Sequence, residues 1–308
     1  MGFDPWPSAP ELPAPIIMDQ RWTDAVFLHW RIPHAVAAPF MPAGVVPDEF
    51  DGSAWVGLIG FRMQGAGLGR GPVIPYFGSF NEINVRLYSR EPDGTRGVVF
   101  RTLDASRLAV VLAARAVGIP YVWSRANFLG ADSLDSSGPM AGDSSAEAGG
   151  AGGSVGTTGS VGTGAAASAG ADGASGSGGS GGPDGTGSPA GITGAAGSGG
   201  TAGYSVRRFR GGARSNFAVA PELDAPAVDP LSIHLTARFG LHSRFRGRTL
   251  YIPNAHSAWP LYRVHLTLLQ DELVGAAGIQ VAGPPESVLF SPGVRTQFGR
   301  PRVLNRTT

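Results

Sequence analysis

The chain has 308 residues, of which 42% are hydrophobic and 15% are charged, and its formal net charge is +1. This length supports one or two domains with a buried core, and a net charge so near zero argues against a protein built around a polyanion. Cys is absent and all 24 basic residues are Arg, which excludes disulfides, Cys-based zinc sites and a lysine Schiff base.

The N-terminal residues 1–14 contain no basic segment followed by an apolar run, so they do not resemble a secretory signal. The longest apolar run, 108–114, is far too short to span a bilayer. We therefore expect a flexible tail over 1–14 and a cytoplasmic protein that does not associate with membranes.

The sequence of the first half of the chain predicts mainly strands separated by turns. Alternating or continuous apolar patterns predict strands, and Gly and Pro clusters predict turns. A helix is predicted where Asp104 or Ser106 can cap it and Gly118 can end it. The predicted elements are strands at 54–63, 80–90, 97–104 and 121–128, turns at 65–72 and 91–97, and a helix at 105–118.

Composition changes sharply at residues 141–203. This segment holds 24 of the 48 glycines and contains only four charged residues, all of them acidic. Such a segment cannot bury enough apolar surface to offset its conformational entropy. We expect a disordered insertion that interrupts a single domain over 15–306.

The chain after the insertion again predicts mostly strand. Residues 204–210 and 214–220 flank a glycine turn and predict a hairpin, and 261–269 alternates as a strand. Asp229 followed by Pro230 predicts the start of a short helix within 229–240. The fold class expected is α+β: a mostly antiparallel curved sheet or partial barrel with two or three short helices.

Several kinds of site find no support in the sequence. None of the six His residues occurs in a metal-binding spacing, so we expect no metal and no cofactor. The Arg-rich stretch 207–214 has no accompanying recognition motif, so we expect no nucleic-acid partner.

One predicted strand, 80–90, carries a polar row. Glu82, Asn84 and Arg86 share one parity with Phe80 and Tyr88, and side chains two residues apart lie on the same face of a strand. The row is either the solvated face of a half-buried sheet or the wall of a pocket. Sequence pattern leaves both alternatives open.

Six blocks of the chain resemble the YqjF-like proteins, domain of unknown function 2071, and they occur in the order of that family. The blocks are RWTDAVFLHWRIP (21–33), FDGSAWVGLIGFRM (50–63), FNEINVRLYSR (80–90), GVVFRTLDASRLAVVLAARAVGIPY (97–121), HSAWPLYRV (256–264) and LFSPGV (289–294). Two features depart from the family: Phe239 where Tyr is usual, and the insertion.

The resemblance implies a fold similar to acetoacetate decarboxylase, with a central cavity. Glu82 matches a Glu of the decarboxylases, and Tyr121 in GIPY stands where they have the Schiff-base Lys. Because this chain has no Lys, Lys-dependent decarboxylation is excluded. The implied pocket residues are Glu82 as acid or base, Arg86 as a clamp and Tyr121 as a donor, with Asn84 beside them.

His29 and Arg115 are further candidates, although each also fits a structural role. Three functions are left open by the sequence. The first is binding of a small oxo- or carboxylate-bearing molecule. The second is a lysine-independent lyase or hydratase acting on small oxo-acids. The third is an interaction protein that uses the insertion.

Overall fold

Strands dominate the part of the chain that the computed structural model describes, which is residues 6–69, 71–72, 78–107, 120–130 and 200–304. The helices are α1 (His34–Ala37), a 3-10 turn (Ala38–Phe40), α2 (Pro230–Thr236) and α3 (Leu273–Ala276). The strands are β1 (Met18–Ile32), β2 (Val46–Pro47), β3 (Ala54–Leu68), β4 (Phe80–Arg90), β5 (Arg96–Ala105), β6 (Tyr121–Leu129), β7 (Ala202–Arg208), β8 (Arg214–Pro226), β9 (Gly240–Phe245), β10 (Arg248–His256), β11 (Tyr262–Asp271), β12 (Ser287–Phe298) and β13 (Arg302–Val303).

Most predicted strands are confirmed, with shifts at their ends. β3 runs on to Leu68, where a turn was predicted, because its last residues pair with Met18 and Asp19 of β1. Of the predicted helix, Ala105 is the last residue of β5, and residues 108–118 lie outside the described ranges. The predicted insertion also lies outside them, except for its last four residues, the final two of which begin β7.

The strand ladder closes on itself twice. Within the described residues, β5, β6, β7, β8, β11, β12, β1, β3 and β4 pair in a ring, which we call the large circuit. A second ring, the small circuit, runs from β5 through β9, β10 and β12 and returns by the same β1, β3 and β4. The expected curved sheet is confirmed, and five strands form a wall common to both circuits.

A bulge bends the common wall. The pairing of β1 with β3 shifts register between Thr23 and Val26, and Asp24 adopts φ 53°. Gly293 of β12 lies opposite Thr23, and a Cβ built there would approach the Trp22 carbonyl oxygen to 1.9 Å. Bulges increase strand twist and curvature, which closing a ring of strands requires.

Both faces of the wall are buried, so β4 faces two interiors. Ile83, Val85 and Leu87 pack with Val26 and Phe217 in the apolar core of the large circuit. The alternate side chains Glu82, Asn84 and Tyr88 lie on the opposite face and are also buried, and Tyr88 packs there with Leu241 of β9 in the small circuit. The solvated-face alternative is therefore wrong for this strand.

α2 begins as predicted. The Asp229 side chain accepts a hydrogen bond from the Ser232 backbone N–H at 3.0 Å, and Pro230 occupies the first helical position. The helix ends at Thr236, before the end of the predicted segment 229–240, and Gly240 is already the first residue of β9. Leu235 of this helix packs with Trp55 and Tyr88 on the small-circuit side of the wall.

We expect Asp229→Ala to lower the free energy of unfolding by about 1 kcal/mol, because it removes the N-cap of α2. Urea denaturation of both proteins measures the change. Asp224→Ala, at an exposed position of β8, is the matched control and should change the stability by less. Equal effects of the two substitutions would contradict a capping role.

Candidate functional site

The carboxyl group of Glu82 lies at the centre of a buried polar cluster. Glu82 is 2% exposed and Asn84 1% exposed. The Tyr121 hydroxyl, at the start of β6, donates to Glu82 Oε2 at 2.6 Å. Asn84 Nδ2 donates to Glu82 Oε1 at 3.3 Å. The parallel pairing of β5 with β6 positions Tyr121 over this end of β4.

Burial raises the pKa of Glu82 to about 7. The hydrogen bonds from Tyr121 and Asn84 oppose that rise in pKa, and the charge of Asp104 adds to it. Burial and the Glu82 charge also hold the pKa of Tyr121 well above its ordinary value, so the phenol remains a donor. A carboxyl group that titrates near neutrality can both accept and release a proton.

Arg86 belongs to a second cluster on the same face, about 13 Å further along the strand. Its Nε donates to the Tyr88 hydroxyl at 3.3 Å, and its Nη2 donates to the Leu235 carbonyl at 3.3 Å. The guanidinium also lies 5.9 Å from the ring centroid of Phe27. No carboxylate among the described residues pairs with this half-buried cation.

His29 joins the second cluster through Tyr88. Its Nε2 lies 2.7 Å from the Tyr88 hydroxyl, and the residue is fully buried. Burial holds the pKa of His29 well below its usual range, and the charges of Arg86 and Arg238 act in the same direction. A neutral His29 with its proton on Nδ1 can accept a hydrogen bond from the Tyr88 hydroxyl at Nε2, and the phenol oxygen in turn accepts from Arg86.

Three residues that the sequence analysis missed complete this cluster. Arg238, 4% exposed, ion-pairs with Asp48 and lies 4.9 Å from the ring centroid of Tyr88. His234 of α2 contacts Asp48 at 3.9 Å, and burial lowers its pKa to about 3. Asp48 and Arg238 are 190 residues apart and share no local pattern. The only sequence signal for this second cluster is that Tyr88 lies an even number of residues from Glu82 and therefore on the same face of the strand.

The predicted residues thus form two groups and not one. Glu82, Asn84 and Tyr121 contact one another, whereas Arg86 and His29 meet at the Tyr88 hydroxyl. Arg115 lies outside the described ranges.

Neither a metal site nor a membrane-spanning helix is found among the described residues. The described part of the chain contains no cluster of three or more His, Asp or Glu side chains placed to hold a metal. It also contains no helix long and apolar enough to cross a membrane.

Comparison with known proteins identifies related sequences. The family model of domain of unknown function 2071, described as an uncharacterized conserved protein, matches residues 19–153 and 190–295. The uncharacterized protein YqjF of Bacillus subtilis strain 168 is 32% identical over 109 residues. That match spans 35% of this chain and 45% of YqjF, less than half of either protein.

The solved structures of similar fold include two enzymes. The enduracididine biosynthesis enzyme MppR, complexed with pyruvate, has a TM-score of 0.53 at 13% identity, covering 96% of this chain and 93% of that one. An acetoacetate decarboxylase-like enzyme from Sphingomonas wittichii RW1 has a TM-score of 0.52 at 11% identity, covering 97% and 99%. At these identities the likeness concerns the fold alone.

Proposed function

This chain belongs to the family of domain of unknown function 2071, as its sequence blocks predicted, and from that premise we propose that it binds a small oxo- or carboxylate-bearing molecule. The binding site would be the buried polar face of β4. The observation that carries the proposal is a carboxyl group of raised pKa on the same face as a guanidinium that lacks a carboxylate partner among the described residues.

Each group has a role in this proposal. Arg86 would clamp a ligand carboxylate, since a guanidinium pairs with a carboxylate through two parallel hydrogen bonds. Tyr121 and Glu82, about 13 Å along the strand from Arg86, would meet the oxo group of a ligand long enough to reach from one group to the other. Asn84 Oδ1, buried and without a hydrogen-bond partner among the described residues, offers an acceptor to a ligand donor. The complex of MppR with pyruvate, a small oxo-acid held by a protein of this fold, supports the same choice of ligand.

A second candidate function is a lysine-independent lyase or hydratase. The pKa of Glu82, about 7, favours it, because general acid–base catalysis is most effective when the pKa lies near the working pH. Glu82 would then take or give the proton next to the oxo group. A turnover assay over small oxo-acids at neutral pH tests this function. If no acid is turned over, the enzymatic function is contradicted and only the binding function stands.

We expect Arg86→Gln to weaken binding of pyruvate or a related oxo-acid by about tenfold or more, since a hydrogen-bonded charge pair is lost. Calorimetric titration of the wild type and the variant with a panel of small oxo-acids measures this. Arg263→Gln is the matched control, because Arg263 is exposed on β11.

Two results would overturn the proposal. One is unchanged affinity for every acid after combined Glu82→Gln and Arg86→Gln substitution. The other is a panel in which no acid binds the wild type.

A further inference from the structure

β5 changes its neighbour partway along its length. Val98 pairs with Leu241 of β9, whereas Leu103 pairs with Tyr121 of β6, and both pairings are parallel. Between them, residues 99–102 have no partner strand on this edge among the described residues. A half-enclosed pocket of about 230 Å³ opens in the gap. In α/β sheets, ligand pockets are common at the points where neighbouring strands diverge, and the two parallel pairings of β5 create a comparable gap.

The pocket combines apolar walls with two cations. Phe40, Val99 and Pro120 contribute apolar surface, and Arg101 and Arg244 contribute guanidinium groups. Its volume lies below the roughly 300–1,000 Å³ of sites for drug-sized ligands, so the pocket suits a small metabolite. None of Glu82, Asn84, Arg86, Tyr121 and His29 lines it.

Neither cation has a carboxylate partner in the described part of the chain. Arg101 donates from Nε and Nη2 to the Ala277 carbonyl, at 3.3 and 3.1 Å, and its guanidinium lies 3.8 Å from the ring centroid of Phe40. Arg244 reaches only the Met41 carbonyl, at 3.5 Å, among those residues. Arg101 is therefore held in place, and no carboxylate among the described residues neutralises its charge or that of Arg244.

His242, another polar residue of the pocket lining, is hydrogen-bonded at both ring nitrogens. Its Nδ1 accepts from the Ser89 hydroxyl at 2.8 Å, and its Nε2 donates to Glu91 at 3.1 Å. Glu91 is also paired with Arg302, so its charge is compensated. Although Ser, His and Glu form a chain here, Ser89 is fully buried and cannot reach a substrate as a nucleophile. The arrangement suits binding and not acyl transfer.

We propose that the pocket between β5 and β9 binds a small organic anion, with its carboxylate or phosphate group on Arg101 and Arg244 and its apolar part against Phe40 and Val99. This site is separate from the polar face of β4, and the proposal does not depend on the function proposed for that face.

Three small probes of similar shape test the proposal by calorimetric titration of the full chain. Benzoate carries a carboxylate, phenyl phosphate a phosphate, and benzamide no charge. We expect at least one anion to bind and benzamide not to bind. Arg244→Gln should weaken binding roughly tenfold, and combined Arg101→Gln and Arg244→Gln substitution should weaken it further. Comparing the two anions shows which anionic group the pocket prefers.

A control variant shows whether the effect is specific to the Arg residues of this pocket. Arg248→Gln, on the exposed start of β10, is the matched control and should leave the affinity for the anion unchanged. Arg244 is itself exposed, so Arg244→Gln tests the site even if loss of Arg101 impairs folding. Equal binding of benzamide, no binding of either anion, or unchanged affinity in the Arg244→Gln variant would overturn the proposal.

Discussion

Replacing Asp104 by Asn is expected to lower the free energy of unfolding by about 3–5 kcal/mol, because it leaves a buried guanidinium without its counter-charge. Asp104 is fully buried on β5. Arg208 of β7 donates two hydrogen bonds to it, at 2.8 Å each, and Ser124 of β6 donates a third at 2.6 Å. Together with Ser124, the pair joins three neighbouring strands of the large circuit next to the Glu82 cluster.

Urea denaturation at neutral pH measures the loss. Adding Arg208→Met to Asp104→Asn should restore much of the stability, because a buried pair replaced at both ends leaves no uncompensated charge. Glu286→Gln is the matched control, because Glu286 forms an exposed ion pair with Arg31. It should lower the free energy of unfolding by no more than about 1 kcal/mol. A loss in Asp104→Asn as small as in Glu286→Gln would show that the buried pair does not stabilise the fold.

The second large effect concerns pH. The pKa of Glu82 is about 7 in the folded protein, against an ordinary value of 4.5, so the folded state binds the proton more tightly than the unfolded state. The stabilisation from protonated Glu82 is therefore fully present below about pH 4.5 and is lost as the pH rises through 7. Glu82→Gln, which cannot ionise, should lose this part of the pH dependence.

We expect the stability of the wild type relative to Glu82→Gln to fall by about 3 kcal/mol between pH 4.5 and pH 8. Denaturation curves at several pH values measure the difference. Glu11→Gln, at an exposed position, should run parallel to the wild type. A Glu82→Gln curve that also runs parallel to the wild type would show that the carboxyl group titrates at its ordinary pKa.

Local sequence pattern predicted correctly which side chains of β4 share a face. The alternation in FNEINVRLYSR placed Glu82, Asn84, Arg86 and Tyr88 on one face, and β4 has them there. The family resemblance paired Glu82 with Tyr121, and the two are hydrogen-bonded. It did not anticipate that Arg86 lies apart from Glu82, against Tyr88, His29 and Leu235.

β1 shows why pattern was insufficient elsewhere. Much of this strand is buried on both faces because it belongs to the wall common to both circuits, and it was not predicted as a strand. A strand with two buried faces loses the alternation by which a half-buried strand is recognised.

By itself, the sequence determined the family, the strand-rich fold, the N-cap of α2 and the absence of a lysine nucleophile, because each depends on local residue order or on composition. Only the tertiary structure decided that the polar face of β4 is buried and that Asp48 and Arg238 meet beside Tyr88. Ring closure brings together strands that are distant in the chain, and the resulting desolvation sets the pKa of Glu82. No local pattern encodes that desolvation, since residues elsewhere in the chain cause it.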